Sequence, residues 1–316
     1  MIQKHRSTCA LGACLTAGVM LAGCSAASGQ GTRPTYAFVQ ELNDPFFQAA
    51  YRGAQAEAAK LGVSLYHTGP GSLDTATQIA DVNAAATRHV DGILLSPIDA
   101  TALVPAVRTA KTSGIPTMVY ATPLADTSLV AGTVLAQPTQ GAIAAGKQMC
   151  KLTGGSGHVA ILQAAYGNPN TTERWDGFKQ GISQDCPSVK VVEQLTGNVE
   201  TKAETFTTSL ASKYPDLKGV FADDIVNADG AVQGLAAAHA TGKVKVIAFD
   251  AEPDEVHALQ NGTIQLLVAQ KPYEEGQLAV EYMWDHLHHK PVPPFQDVGT
   301  VLINNANYAQ TKQWAY

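Results

Sequence analysis

Basic residues are scarce in this 316-residue sequence, which has 21 lysine and arginine residues against 27 aspartate and glutamate residues. Because they are spread along the chain, no basic block can neutralise a row of phosphates, and nucleic acid is not an expected partner. The Gly-x-Ser-x-Gly nucleophile motif is also absent, and no acidic pair stands in a substrate-specific motif. The sequence therefore gives no support for an enzyme.

Motifs for cofactors and metals are missing as well. Gly69-Pro70-Gly71 lacks the third glycine of a phosphate-binding loop, and Thr153-Gly154-Gly155-Ser156-Gly157 lacks a following lysine, so we interpret both as turns. His286, His288 and His289 cluster near the end of a predicted helix without an assured further ligand, and a helix C-terminus favours them there. We expect no cofactor and no metal.

The N-terminus has the order of a secretory signal. Lys4 to Arg6 precede an apolar stretch from Cys9 to Ala22 that is too short to span a bilayer. This stretch ends in Leu21-Ala22-Gly23-Cys24, which resembles the lipobox of bacterial lipoproteins and implies diacylation of Cys24 after removal of residues 1–23. Residues 24–34 then form a flexible tether. The alternative is an ordinary signal peptide with an incidental cysteine.

Only two cysteines remain in the folded part once Cys24 and the signal are set aside. Cys150 and Cys186 each follow or end a predicted helix that precedes a strand, which places both at the same end of one sheet. An exported pair of thiols favours a disulfide. We therefore predict a bond between Cys150 and Cys186.

From Thr35 onward, short apolar runs alternate with segments of helical period, which is typical of βα units in a parallel sheet. The predicted strands are Tyr36–Val39, Val63–Tyr66, Gly92–Leu95, Thr117–Tyr120, Val159–Gln163, Val189–Leu195, Gly219–Ala222, Lys245–Phe249 and Ile264–Ala269. The predicted helices are Phe46–Leu61, Thr75–His89, Ala100–Ser113, Thr139–Leu152, Thr172–Ser183, Lys202–Lys213, Asn227–Ala240, Pro253–Asn261 and Tyr273–His286. So many strands exceed one ordinary sheet and indicate two domains.

An internal repeat supports the two domains. The segment 90–95 corresponds to 217–222, and 114–119 corresponds to 242–247, at nearly the same offset. Each pair combines a helix end, a turn and a buried strand in the same order. The two halves therefore look like copies of one doubly wound architecture.

The turn Leu42-Asn43-Asp44-Pro45-Phe46-Phe47 follows the first strand, at the sheet edge where open α/β folds bind ligands. The rings of Phe46 and Phe47 can stack on the C–H face of a sugar, and Asp44 can accept hydroxyl hydrogens. Spacing alone also permits a second interpretation, in which both phenylalanines are core residues of the first helical turn.

At these positions the sequence resembles the periplasmic sugar-binding proteins of the ribose and galactose type, whose first strand ends in a similar turn. The resemblance runs from Tyr36 to about Tyr308 and includes Leu95-Ser96-Pro97-Ile98-Asp99, the run 173–178, Phe221-Ala222-Asp223-Asp224, the run 248–254 and the run 268–272. It implies two doubly wound α/β domains joined by a hinge, the periplasmic-binding-protein type I fold. The expected N-terminal lobe is 35–136 plus 271–297, and the expected C-terminal lobe is 137–270 plus 298–316.

The resemblance also implies which residues hold a ligand between the lobes. The predicted set is Asp44, Phe46, Phe47, Ser96, Gln137, Arg174, Asn198, Asp224, Phe249, Asp250 and Gln270. Alternatives remain for three of them: Asp224 and Asp250 can cap the helices that follow, and Arg174 can be a solvated surface residue.

The sequence departs from the family at two places. Tyr120-Ala121-Thr122-Pro123 lacks the charged pair usual after the fourth strand, and Gly197-Asn198-Val199-Glu200 lacks the aromatic residue that covers the second ring face. With Glu41 and Asp99 near its rim, the cleft holds several carboxylates against one guanidinium. Sugar phosphates are therefore disfavoured, whereas a neutral polyol, a deoxygenated sugar or an amine-bearing ligand suits these walls.

These features predict an exported, lipid-anchored, monomeric solute-binding protein that delivers a small neutral sugar or polyol to an ABC permease in the membrane. One alternative is a sensor that presents the ligand to a membrane receptor, and another is a binder of a non-sugar, amine-bearing molecule. A sugar-responsive repressor shares the fold, but the signal and lipobox stand where its DNA-reading helices belong.

Overall fold

The computed structural model describes residues 33–164 and 169–316. The predicted signal, the lipidation site Cys24 and most of the predicted tether lie outside the described residues. Within the two described ranges, no helix combines the length and the apolar character that crossing a membrane requires.

The chain alternates strands and helices along almost its whole described length. The strands are β1 (Thr35–Val39), β2 (Ser64–Thr68), β3 (Gly92–Leu95), β4 (Thr117–Tyr120), β5 (Gly132–Leu135), β6 (His158–Gln163), β7 (Lys190–Leu195), β8 (Leu217–Ala222), β9 (Lys245–Phe249), β10 (Leu266–Ala269), β11 (Phe295–Asp297) and β12 (Val301–Ile303). The helices are α1 (Pro45–Leu61), α2 (Thr75–Thr87), α3 (Val104–Thr112), α4 (Pro138–Thr153), α5 (Pro169–Asp185), α6 (Glu200–Lys213), α7 (Ile225–Ala237), α8 (Pro253–Gln260), α9 (Pro272–Leu287) and α10 (Tyr308–Thr311).

The strands form two sheets, which define two lobes. The first lobe has the strand order β11-β5-β4-β3-β1-β2, and the second has the order β12-β10-β9-β8-β6-β7. All neighbouring strands are parallel except β12, which runs antiparallel to β10. The predicted fold class, two doubly wound α/β lobes, is confirmed.

Every predicted strand and helix is present, with ends shifted by a few residues. The largest shift is in α3, which begins at Val104 rather than Ala100 because Asp99 accepts the backbone N–H groups of Thr101 and Ala102 in a separate turn. The sequence did not predict β5, β11 and β12, each of three or four residues. Of these, β11 and β12 have three residues each and are partly exposed, so they carry too little apolar pattern to be recognised.

The chain crosses between the lobes at three neighbouring places: from β5 to α4, from β10 to α9, and from β11 to β12. Hydrogen bonds tie these crossings together. The backbone N–H of Ala136 donates to the Glu275 carboxyl at 3.0 Å, and that of Gln137 donates to Asp297 at 2.9 Å. We call these three adjacent crossings the hinge segments, because crossings of this kind are where two lobes can move relative to each other.

Helices α1 and α9 approach closely on the first lobe because glycines lie at their contact. A Cβ at Gly276 would overlap the carbonyl oxygen of Ala50, and one at Gly53 would overlap that of Tyr273. This packing fixes α1, whose N-terminal turn carries part of the candidate site.

Cys150, in the last turn of α4, and Cys186, just after α5, form a disulfide with a Cα–Cα distance of 5.7 Å. Both belong to a buried cluster with Val159 and Val189 near the amino ends of β6 and β7. The bond therefore lies at the opposite end of the sheet from the carboxyl edge.

Candidate ligand-binding site between the lobes

A cavity of about 250 Å³ lies at the carboxyl ends of strands from both sheets. From the first lobe, Glu41 and Asp44 follow β1, and Ala121 and Thr122 follow β4. The second lobe contributes Arg174 from α5, and also Asp224, Asp250, Glu252 and Gln270, which follow β8, β9 and β10. The parallel topology brings these side chains together because the carboxyl ends of parallel strands share one edge.

Most of the predicted site residues meet at this cavity. Those that line it are Asp44, Phe46, Phe47, Arg174, Asn198, Asp224, Asp250 and Gln270. The structure places Ser96, Gln137 and Phe249 outside the lining.

Each of the three outlying residues has another position. Ser96 is fully buried and its hydroxyl donates to Glu41 at 2.6 Å, so it orients a cavity residue instead of reaching the cavity. Gln137 directly precedes α4, at the crossing between the lobes. Phe249 is the last residue of β9 and points into the core, where its ring lies 4.3 Å from the guanidinium carbon of Arg174.

Phe46 and Phe47 fit both interpretations of their turn. They line the cavity, and they also belong to the buried cluster that contains Phe38 and Tyr120. Their rings meet edge to face with centroids 5.0 Å apart. Asp44 caps α1 by accepting the backbone N–H of Phe47 at 2.8 Å, which holds its carboxylate at the cavity wall.

Asp224 likewise caps a helix and lines the cavity, since it accepts the backbone N–H of Asn227 at 2.8 Å. Asp250 does not cap α8. Its Oδ1 accepts from Gln270 Nε2 at 2.6 Å and from the Tyr316 hydroxyl at 2.8 Å. The capping interpretation of Asp250 is therefore wrong.

Arg174 is a buried residue of the site and not a solvated one, with 6% of its surface exposed. Its Nη1 donates to the backbone carbonyl of Asp223 at 2.6 Å and lies 3.5 Å from Asp250 Oδ2. The guanidinium therefore holds the second-lobe wall together while it faces the cavity.

Three cavity residues have left-handed backbone conformations that residues other than glycine rarely adopt. Ala121, Asn198 and Asp250 have φ values of 59°, 57° and 75°. The other described non-glycine residues with positive φ, His89, His239 and His289, directly follow helix ends, where this conformation is ordinary. Strained backbone away from helix ends concentrates at ligand sites, and here it coincides with the cavity.

Tyr316 and Glu252 complete the site, and sequence reasoning missed both. The Tyr316 ring meets Phe46 edge to face at 5.6 Å, its hydroxyl bonds Asp250, and its backbone N–H donates to Ala251 at 3.1 Å. No local pattern points to a tyrosine 66 residues from its partner. Glu252 stands two residues after Asp250, within the run 248–254 on which the resemblance was based. Asp99, expected near the rim, is exposed and outside the lining.

Burial makes four of the cavity carboxyl groups hard to ionise. It raises the pKa of Glu41 to about 7 and that of Asp44 to about 6. Burial and the neighbouring Asp223 raise the pKa of Asp224 to about 7. The pKa of Glu252 rises to about 8 through burial and repulsion from Asp44. Within the described ranges, no group of three His, Cys, Asp or Glu side chains is placed to hold a metal ion.

Two α/β lobes with a cavity between them that is lined by carboxyl groups from both, beside a three-segment hinge, define a two-lobed binding protein. A family model described as a periplasmic binding protein domain matches residues 36–291, so the chain belongs to this family, as the sequence predicted.

Known relatives include the ribose import binding protein of Bacillus subtilis, 30% identical over 256 residues that cover 80% of this chain and 81% of the relative. The xylitol-binding protein of Mycolicibacterium smegmatis is 32% identical over 209 residues, covering 61% of this chain and 58% of the relative. An ABC transporter solute-binding protein from Agrobacterium vitis, solved with bound α-D-tagatopyranose, has a TM-score of 0.84 and 26% identity, covering 90% of this chain and 99% of that one.

Proposed function

We propose that this protein is the extracytoplasmic solute-binding lipoprotein of an ABC importer and binds a small sugar or polyol in the cavity between its lobes. The observation that carries the proposal is the convergence of Asp44, Asp224 and Asp250 from three strand ends of two lobes on one cavity. The relatives named for ribose import and xylitol binding support a polyhydroxylated ligand.

The chemistry of the walls suits such a ligand. Carboxylates accept short, charge-assisted hydrogen bonds from hydroxyl groups, and the edges and faces of Phe46 and Phe47 pack against C–H groups. Because ligand contacts come from both lobes, binding favours the closed arrangement over an open one. The role is capture and delivery, without turnover.

The lobes of the proposal are residues 35–136 plus 271–297 and residues 137–270 plus 298–316. Closing changes their relative position through the three hinge segments, and an ABC permease in the membrane recognises the closed monomer. A sensory role, in which a membrane receptor recognises the same closed form, is the second candidate and uses the same site.

Mass spectrometry of the small molecules that co-purify with the protein tests the proposal. We expect a polyhydroxylated compound at near-stoichiometric amount, released on denaturation, and no sugar phosphate, because the acidic walls repel a phosphate group. Stoichiometric recovery of a compound without hydroxyl groups would overturn the ligand class. Conversion of the recovered compound by the purified protein would overturn the role.

Fatty-acid labelling of growing cells tests the membrane anchor. We expect a labelled protein in the membrane fraction and loss of the label in Cys24→Ala, because the thiol is the acylated group. Ser25→Ala, next to the acylated residue, is the matched control and should keep the label. Label that survives Cys24→Ala would remove the lipoprotein from the proposal.

A further inference from the structure

The walls of the cavity are strongly acidic on both sides. Among the described lining residues, five have carboxyl groups and one has a guanidinium group. Glu41 and Asp44 come from the first lobe, and Asp224, Asp250 and Glu252 come from the second. Closing the lobes therefore brings like charges together across the cavity.

The guanidinium of Arg174 is already engaged within the second lobe. Nη1 donates to the Asp223 carbonyl and lies beside Asp250, and the group stacks over Phe249. It compensates Asp250 and leaves the other four carboxyl groups without a described basic side chain in the cavity wall. The buried Nε of Arg174 has no hydrogen-bond partner among the described residues. This N–H can donate to a ligand oxygen.

The partners of the carboxyl groups leave acceptor capacity. Asp44 and Asp224 each accept one backbone N–H through Oδ1, at the start of α1 and α7. A carboxylate has about four acceptor positions, so most of theirs remain free. Hydroxyl groups can fill these positions, but they do not supply the positive charge that buried carboxylates need.

We propose that the ligand is a polyhydroxylated amine whose ammonium group lies among Asp44, Asp224 and Glu252 while one of its hydroxyl oxygens accepts from Arg174 Nε. The inference rests on the proposed function and narrows the ligand class within the same cavity. An ammonium group compensates carboxylates from both lobes at once, so it holds the closed form in a way that a neutral sugar does not.

The carboxyl groups of the cavity should make the affinity for an amine depend on pH. The raised pKa values of Glu41, Asp224 and Glu252, near 7 to 8, mean that these groups lose protons as the pH rises from 5.5 to 8. Arg174, Asp44 and Asp250 also face the cavity, with Asp223 and Tyr316 behind them. The affinity for an amine that stays protonated should therefore rise between pH 5.5 and pH 8. The affinity for a neutral polyol should not.

Calorimetry with matched probes tests the inference. The pairs are D-glucosamine with D-glucose, D-galactosamine with D-galactose, and 1-amino-1-deoxy-D-glucitol with D-glucitol, titrated into protein unfolded and refolded to remove bound solute. We expect the amino member of at least one pair to bind at least tenfold tighter at pH 7.5 and low salt. The alkylamine of the amino-glucitol stays protonated at both pH values, and we expect its affinity to be at least fivefold weaker at pH 5.5 than at pH 7.5.

Variants distinguish binding of the amine at this site from its non-specific attraction to an acidic protein. Asp224→Asn and Glu252→Gln should each reduce the preference for the amine at least threefold, whereas Asp185→Asn, which removes an exposed charge at the far end of α5, should leave it unchanged. Neutral members that bind as tightly as their amines would overturn the inference and leave the proposed function in place. If none of the six probes binds and the co-purified compound is a neutral sugar or polyol, the inference fails and the proposed function stands.

Discussion

Asp250→Ala is expected to weaken binding of the co-purified solute by about 10- to 150-fold, which corresponds to the loss of a charge-assisted hydrogen bond worth roughly 1.5 to 3 kcal/mol. Asp250 is central because it connects three side chains at the cavity wall: Gln270 and Tyr316 donate to Oδ1, and Arg174 lies 3.5 Å from Oδ2. The substitution also leaves Arg174 buried without its charged partner.

Isothermal calorimetry on the parent and the variant measures the effect. Asp254→Ala is the matched control, because Asp254 is an exposed carboxylate in the first turn of α8, outside the cavity lining, and its loss should change affinity less than twofold. A folded Asp250→Ala variant that binds as tightly as the parent would mean that the cavity has been assigned wrongly.

Removing the disulfide between Cys150 and Cys186 should strongly lower the free energy of unfolding. The bond joins residues 36 apart in sequence, and a loop of that length lowers the entropy of the unfolded chain by an amount worth about 4 kcal/mol. We expect Cys150→Ser/Cys186→Ser to lower the free energy of unfolding by about this amount, measured by urea denaturation under oxidising conditions.

Ligand affinity supplies the control for the disulfide variant. The cysteines lie at the amino end of the second-lobe strands, whereas the cavity lies at the carboxyl end. The variant should therefore bind the solute with nearly parental affinity at a temperature where it is folded. Free thiols in the oxidised parent, detected by alkylation and mass spectrometry, would contradict the bond.

The sequence was most informative where an element is long and buried. The central strands, such as β3 and β9, are continuous apolar runs that begin at a glycine or a lysine. Their pattern alone was enough to locate them. In contrast, β11 and β12 are short, partly exposed strands that owe their existence to pairing with β5 and β10. Pairing of this kind depends on residues far away in the chain, which local pattern does not contain.

The same distinction explains the site. Asp44, Asp224 and Asp250 could be predicted because the resemblance to sugar-binding proteins places ligand contacts in the turns after β1, β8 and β9, and the apolar runs mark where these strands end. A shift of one residue decides the outcome, since Phe249 ends β9 and points into the core while Asp250 turns to the cavity. Tyr316 could not be predicted, because only the folded chain brings it to Asp250.

The most direct test of the central claim is a crystal structure of the protein purified without refolding, so that its natural solute is retained. We expect a compact polyhydroxylated molecule in the cavity, hydrogen-bonded to Asp44 from the first lobe and to Asp224 and Asp250 from the second. A solute bound elsewhere on the protein, or one that contacts residues of a single lobe, would contradict it.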